Sequence, residues 1–165
     1  MPGHRPDKAP VPNDGAAARA AAVAGLARRD LPTGELQERL RIRGFDADTA
    51  VAVSTALASE GILNDERFAQ NYVTYHAGRG QGPVRIAAEL RRRGLTAELI
   101  EAAIATGPDW RALARKVCHA KFGSQPPGSW AERARQARFL QYRGFSSDHI
   151  HAATGAEPES GVADL

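Results

Sequence analysis

Apolar residues recur at helical spacing along most of this chain. Trp110, Leu113, Ala114, Val117 and Cys118 mark one buried stripe, and Phe68, Tyr72, Tyr75 and His76 fall on one face of another helix. No segment alternates apolar and polar residues with the period of two that a half-buried strand requires, so the pattern predicts an all-α protein. The first helix should span about 14–29, using the high propensity of its alanines. Thr33 is placed to cap the second helix, and Asp46 the third, over about 46–59. Asn64 should cap a fourth helix ending near Gly78-Arg79-Gly80, and Gly82-Pro83 should open a fifth with proline at the favoured first position. Thr96, Asp109, Ser129 and Ser146 are the caps expected for the last four, with Ser129 and Glu132 fitting a capping box.

One phrase occurs three times at a spacing of fifty residues. It reads Leu40-Arg41-Ile42-Arg43-Gly44-Phe45-Asp46-Ala47-Asp48, then Leu90-Arg91-Arg92-Arg93-Gly94-Leu95-Thr96-Ala97-Glu98, then Leu140-Gln141-Tyr142-Arg143-Gly144-Phe145-Ser146-Ser147-Asp148. Leucine closes an apolar stripe, arginine meets the negative end of the helix dipole, and glycine takes the left-handed conformation that ends the helix. A large apolar residue then packs back on the finished turn, and Asp, Thr or Ser caps the next helix. A repeat of this size predicts tandem units, here three three-helix repeats at 14–61, 62–107 and 108–153. Residues 1–13 carry four prolines, and 1–13 and the acidic stretch 154–165 are expected to be disordered.

Charge changes the picture of the middle. Residues 61–143 hold fourteen basic and seven acidic side chains, whereas 1–60 balance eight against eight and 144–165 hold four acids and no Lys or Arg. A basic middle suggests an anionic partner. Three arginine-rich faces stand out: Arg85 with Arg91-Arg92-Arg93, then Arg111, Arg115, Lys116 and Lys121, then Arg133, Arg135 and Arg138. From these, Arg85, Arg91, Arg92, Arg115 and Lys116 are the candidate partner contacts. Arg43, Arg93 and Arg143 are assigned to the corners themselves.

Candidate chemistry is sparse. Gly78-Arg79-Gly80-Gln81-Gly82 lacks the strand and the Gly-Lys-Ser/Thr ending of a phosphate-cradling loop, and reads instead as a helix stop followed by a helix start. Cys118, His119, His149 and His151 lack metal-ligand spacing, and Asp65-Glu66 suit the positive start of a helix better than acid–base work. No catalytic, cofactor-binding or metal-binding residue is assigned, and the chain is expected not to be an enzyme. Cys118 is the only cysteine, so no intramolecular disulfide can form. The start has no apolar run and the alanine-rich stretch is too short for a membrane span, which leads to the expectation of a cytoplasmic protein with no membrane contact; a monomer is expected as well.

The ordered phrases Leu63-Asn64-Asp65-Glu66-Arg67-Phe68-Ala69, Arg79-Gly80-Gln81-Gly82-Pro83-Val84-Arg85-Ile86, Glu89-Leu90-Arg91-Arg92-Arg93-Gly94-Leu95 and Arg138-Phe139-Leu140-Gln141-Tyr142-Arg143-Gly144-Phe145-Ser146 resemble the RecX family of bacterial recombinase regulators. The similarity covers roughly residues 16–153. The early prolines, the loop at Gln125-Pro126-Pro127 and the acidic end look like local additions. The resemblance implies three tandem three-helix units in an elongated curved solenoid that binds the filament of RecA recombinase, inhibits its assembly, ATP hydrolysis, strand exchange and coprotease action, and also contacts single- or double-stranded DNA. It carries over no catalytic residues. A stand-alone DNA-binding protein is the alternative, since basic helix-turn-helix-like corners also suit groove or phosphate contact.

Overall fold

Nine helices account for most of the residues described by the computed structural model, which are 9–155. They are α1 (Gly15–Arg28), α2 (Thr33–Ile42), α3 (Ala47–Ser59), α4 (Asp65–Gly78), α5 (Pro83–Arg92), α6 (Ala97–Ala105), α7 (Trp110–Phe122), α8 (Trp130–Arg143) and α9 (Ser147–Thr154). There is no strand among the described residues. None of these helices is long and apolar enough to cross a membrane.

The three corners follow the predicted chemistry. Gly44, Gly94 and Gly144 have φ of +106°, +85° and +93°. At the first and third, the amide after glycine returns to the leucine carbonyl: Phe45 N donates to Leu40 O at 3.1 Å, and Phe145 N donates to Leu140 O at 3.1 Å. Each glycine amide meets the carbonyl three residues back, Arg41 O or Gln141 O, at 3.0 Å, which completes a Schellman motif. The apolar residues bracketing the glycine are buried in all three repeats: Leu40 with Phe45, Leu90 with Leu95, and Leu140 with Phe145. Asp46, Thr96 and Ser146 then accept from the amides of Thr49, Leu99 and His149.

The helices sort into two compact units. Among the described residues, the first comprises those up to Phe68 together with Arg93–Leu95, and the second comprises Ala69–Arg92 and those from Thr96 onward. In the first, α1, α2 and α3 pack on one another around Ala18, Ala22, Leu36, Leu40, Ala50 and Leu57. The small alanines of α1 let its backbone come close, and Arg19 holds the end of α3 through paired bonds to Glu60 at 2.9 and 2.5 Å. In the second unit, α5 packs on α6, and α7, α8 and α9 enclose Ala114, Cys118, Leu140, Phe145 and Ile150.

Several expectations need correction. Thr33 does not cap α2 with its own side chain. It is the first helical residue, Pro32 stands at the cap position, and Asp65 supplies the acceptor for the Thr33 amide at 2.8 Å. The Ser129 capping box is half formed: Ser129 Oγ accepts from Glu132 N at 3.2 Å, but Glu132 reaches back to Gly128 N, at 2.6 Å, one residue earlier than a box requires. Residues 9–13, expected to be part of a structureless tail, include a tie to the first corner, because Asp46 N donates to Pro12 O at 2.8 Å. At the other end, Thr154 is buried and helical, its Oγ1 donating to Ile150 O at 2.9 Å. The remainder of both expected tails, 1–8 and 156–165, lies outside the described residues. Of the aromatic rings that helical spacing places on these faces, Phe68 is buried while Tyr72 and Trp110 are half-buried, Trp110 donating its indole N–H to Ile104 O at 3.1 Å.

Candidate functional site

The five cations singled out from sequence are all exposed, yet they do not converge. Arg85 and Arg92, two turns apart on α5, line one groove of about 390 Å³ together with Val84 and Tyr142. Arg92 also pairs with Glu89 at 3.0 Å on the same helix. Lys116 belongs to a different groove on α7. Arg91 and Arg115 line neither.

The groove around Lys116 is the stronger concentration of charge. Its volume is about 450 Å³, and Arg79, Lys116, Lys121 and Arg143 border it without a single carboxylate among the lining residues. Three stretches of chain supply these side chains: the end of α4, the middle and end of α7, and the last turn of α8. On α7 the lining residues Leu113, Lys116, Val117, Ala120 and Lys121 share one face. Lys121 and Arg143 lie over the ring of Phe139, at 6.0 and 5.7 Å from its centroid, and Arg79 stands over Tyr75 at 5.6 Å. Stacking of this kind holds a cation in place while leaving its outer N–H groups directed to solvent.

Three of these four residues were missed by sequence reasoning. Sequence alone puts Lys121 on a basic helix, Arg79 at a helix stop and Arg143 at its corner, with nothing to join them into one site. Arg143 does serve locally, donating to Arg79 O at 3.5 Å, but that same bond draws it beside Arg79 in the groove. The facial pattern of α7 was the available signal. Arg93, also assigned to a corner, pairs with Glu35 at 3.5 Å, and Arg43 borders a groove on the first unit with Arg28, Arg29 and Arg39.

The glycine-rich segment beside the groove is not a phosphate cradle. Arg79 N and Gln81 N return to His76 O, Gly80 N returns to Ala77 O, and Gly82 N and Val84 N donate to Arg143 O and Gly144 O at 2.8 and 2.9 Å. Every amide hydrogen from Arg79 to Val84 is therefore spent on ending α4 or starting α5, proline having none. The helix-stop and helix-start reading of this segment holds.

The other groups with chemical potential have structural partners. Cys118 is buried, its Sγ donates to Gln136 Oε1 at 3.5 Å, and burial pushes the thiol pKa up, away from the reactive thiolate. Asp65 is taken by Thr33. His149 sits 2.9 Å from Ser146 Oγ, and burial holds its pKa below the ordinary histidine value. No group of three or more His, Cys, Asp or Glu residues among the described residues could hold a metal ion.

Comparison with known proteins places these features in a family. Residues 64–104 match the second three-helix domain of RecX, and 109–154 match the third. The regulatory protein RecX of Halorhodospira halophila is 44% identical over 144 residues, which cover 87% of this chain and 89% of that one. The regulatory protein RecX of Pseudomonas fluorescens is 41% identical over 135 residues, covering 81% and 87%. The crystal structure of RecX from Lactobacillus salivarius superposes with a TM-score of 0.76 over 87% of this chain and 96% of that one, at 19% identity, and so supports the all-helical fold. Nine helices, glycine corners at fifty-residue intervals and identity of this extent agree: the chain belongs to the RecX family of regulatory proteins.

Proposed function

We propose that this protein binds the filament of RecA recombinase and lowers its ATP hydrolysis, strand exchange and coprotease activity during recombinational repair and the SOS response. It acts by occupying the filament in stoichiometric proportion, as a cytoplasmic monomer without cofactor or chemistry of its own. The observation that carries the reading is the 44% identity, over 144 residues, to a regulatory protein RecX. The exposed cations of α5 and α7 support it, because an excess of positive charge steers association with an acidic surface. On this reading 14–61, 62–107 and 108–153 are the three repeats, and Arg85, Arg91, Arg92, Arg115 and Lys116, in the second and third, contact RecA or DNA phosphates.

The test is RecA-dependent ATP hydrolysis on single-stranded DNA with increasing amounts of this protein. Hydrolysis should fall progressively as the protein approaches the number of binding sites on the filament. An unchanged rate at saturating protein overturns the proposal, and cleaved DNA or protein as a product would indicate an enzyme.

A second reading, stand-alone DNA binding, has one specific support. Tyr142 is 79% exposed and shares its groove with Arg85 and Arg92, a combination suited to base stacking beside phosphate contacts. Tight, steeply salt-dependent binding to DNA in the absence of RecA, together with no effect on RecA, would favour it.

A further inference from the structure

We infer that the groove bordered by Arg79, Lys116, Lys121 and Arg143 is a docking site for an acidic peptide segment anchored by an apolar side chain. This rests on the reading above only in that the partner is a protein.

Charge is the first argument. The groove gathers four cations and no carboxylate, and none of the four forms an ion pair with a carboxylate among the described residues. Four like charges around one groove repel one another, and an anionic occupant relieves that repulsion.

The floor is the second. Leu113, Val117 and Phe139 line the groove half-buried, so apolar surface lies beneath the charged rim. A phosphodiester backbone has no use for such a floor. A leucine or phenylalanine side chain does, because it loses apolar contact with water there while flanking carboxylates meet the rim.

The third argument weighs against nucleic acid at this place. The ring of Phe139 has cations over it, and its contact with Phe122 is edge-to-face with centroids 5.3 Å apart, so it is poorly placed for a base to stack on. The amides of the adjacent glycine-rich segment are all bonded, so no backbone nest awaits a phosphate.

The same chemistry recurs in the first unit. Arg28, Arg29, Arg39 and Arg43 border a groove of about 480 Å³ floored by Leu31 and Leu36, again with no lining carboxylate. Both grooves end on the arginine before a corner glycine, Arg43 or Arg143. An arginine-rich composition accounts for one such groove. Its reappearance at the corresponding place in another three-helix set points to a repeated binding design.

Fluorescence anisotropy on the full chain tests this. The probe is a short fluorescein-labelled polyglutamate peptide carrying two phenylalanines one helical turn apart. The competitors are an all-glutamate peptide of the same length and an oligothymidylate of the same charge. The phenylalanine peptide should bind saturably, the other two about tenfold more weakly, and the K116E/K121E variant should lose about tenfold in affinity for it. R133E, an exposed arginine outside the groove, should bind like the parent. If charge reversal lowers helicity by circular dichroism, K116Q/K121Q takes its place with the same expectation. Equal affinity for the two peptides, tighter binding of the oligothymidylate, or full peptide affinity in the lysine variant each overturns the inference. The titration contains no RecA, so its failure leaves the filament reading standing. Intact peptide binding with unaltered RecA ATP hydrolysis overturns the filament reading alone.

Discussion

Asp65, the first residue of α4, caps the start of α2: its Oδ1 accepts from the Thr33 amide at 2.8 Å and from the Thr33 hydroxyl at 2.9 Å. Helix starts leave amide donors unmet, and α2 has proline at the cap position, which offers no side-chain acceptor. A carboxylate from another helix fills the vacancy and complements the dipole of α2. Replacing Asp65 by alanine should therefore cost about 1–2 kcal/mol, the scale of a lost cap. Asp65→Asn should recover much of that loss, because the amide oxygen still accepts, and Thr33→Ala, which keeps the amide bond, should cost less than Asp65→Ala. Urea unfolding of the three variants checks the order. An Asp65→Ala variant as stable as the parent removes the cap from the account.

The corner glycines should not be equally sensitive. At Gly94 an added Cβ would meet nothing within 4 Å, so Gly94→Ala pays only for φ of +85°, about 1–2 kcal/mol. At Gly144 the same atom would fall 2.8 Å from the backbone nitrogen of Arg85 and closer still to its Cβ. Gly144→Ala should therefore destabilise by clearly more than Gly94→Ala, and Gly94→Val by more than about 1 kcal/mol. Thermal melts of the alanine pair decide the first comparison, and equal losses would contradict it.

Leu40, Leu90 and Leu140 occupy the same slot of the repeat and are 1%, 0% and 0% exposed. Truncating any of them to alanine should cost about 2–5 kcal/mol, the range for cavities left in close-packed cores. Chemical denaturation of the three single variants provides the measurement. A loss below 1 kcal/mol at any position would mean that its surroundings collapse to fill the space.

Reversing Arg91 and Arg92 to glutamate should weaken binding to RecA filaments and blunt its salt dependence, while helicity and melting temperature change little. Both side chains are exposed, and the Arg92–Glu89 pair that the reversal breaks is an exposed i,i+3 contact of the kind worth a few tenths of a kcal/mol. Filament pull-down over a salt series checks this, with circular dichroism as the control for folding. Parent-like affinity at low salt would move the contact surface to the first repeat.

Acid should loosen two inter-helix ties. The hydrogen bond from Arg19 holds the Glu60 carboxyl below its ordinary pKa, and the bond from Arg111 does the same for Asp148. A carboxylate with a lowered pKa in the folded state contributes stability that is present above its unfolded pKa and is lost as pH falls through the folded one. The difference in melting temperature between the parent and Glu60→Gln or Asp148→Asn should thus be largest near neutrality and shrink as pH drops below about 4. Melting curves at a series of pH values test it, and a difference that grows on acidification would reverse the assignment.

Local rules made most of the fold legible in advance. Helix starts at Asp46, Thr96, Asp109 and Ser146, and stops at Gly44, Gly94 and Gly144, each follow from residues within one turn of the event. Caps, dipoles and left-handed glycines act over that range, and the fifty-residue repeat multiplied the signal.

The tertiary structure alone decided what depends on distant segments meeting. Asp65 reaches Thr33 across 32 residues, and the carbonyls of Arg143 and Gly144 receive the amides that begin α5. Arg79, Lys116, Lys121 and Arg143 form one groove because α4, α7 and α8 end or pass near one another, whereas the neighbours Arg91 and Arg92 in sequence face different surroundings. Periodicity tells which face of a helix is buried, but it holds no information on which other helix covers that face or which charges are brought beside it. Those are set by packing between side chains far apart in the chain, where shape and burial decide the outcome.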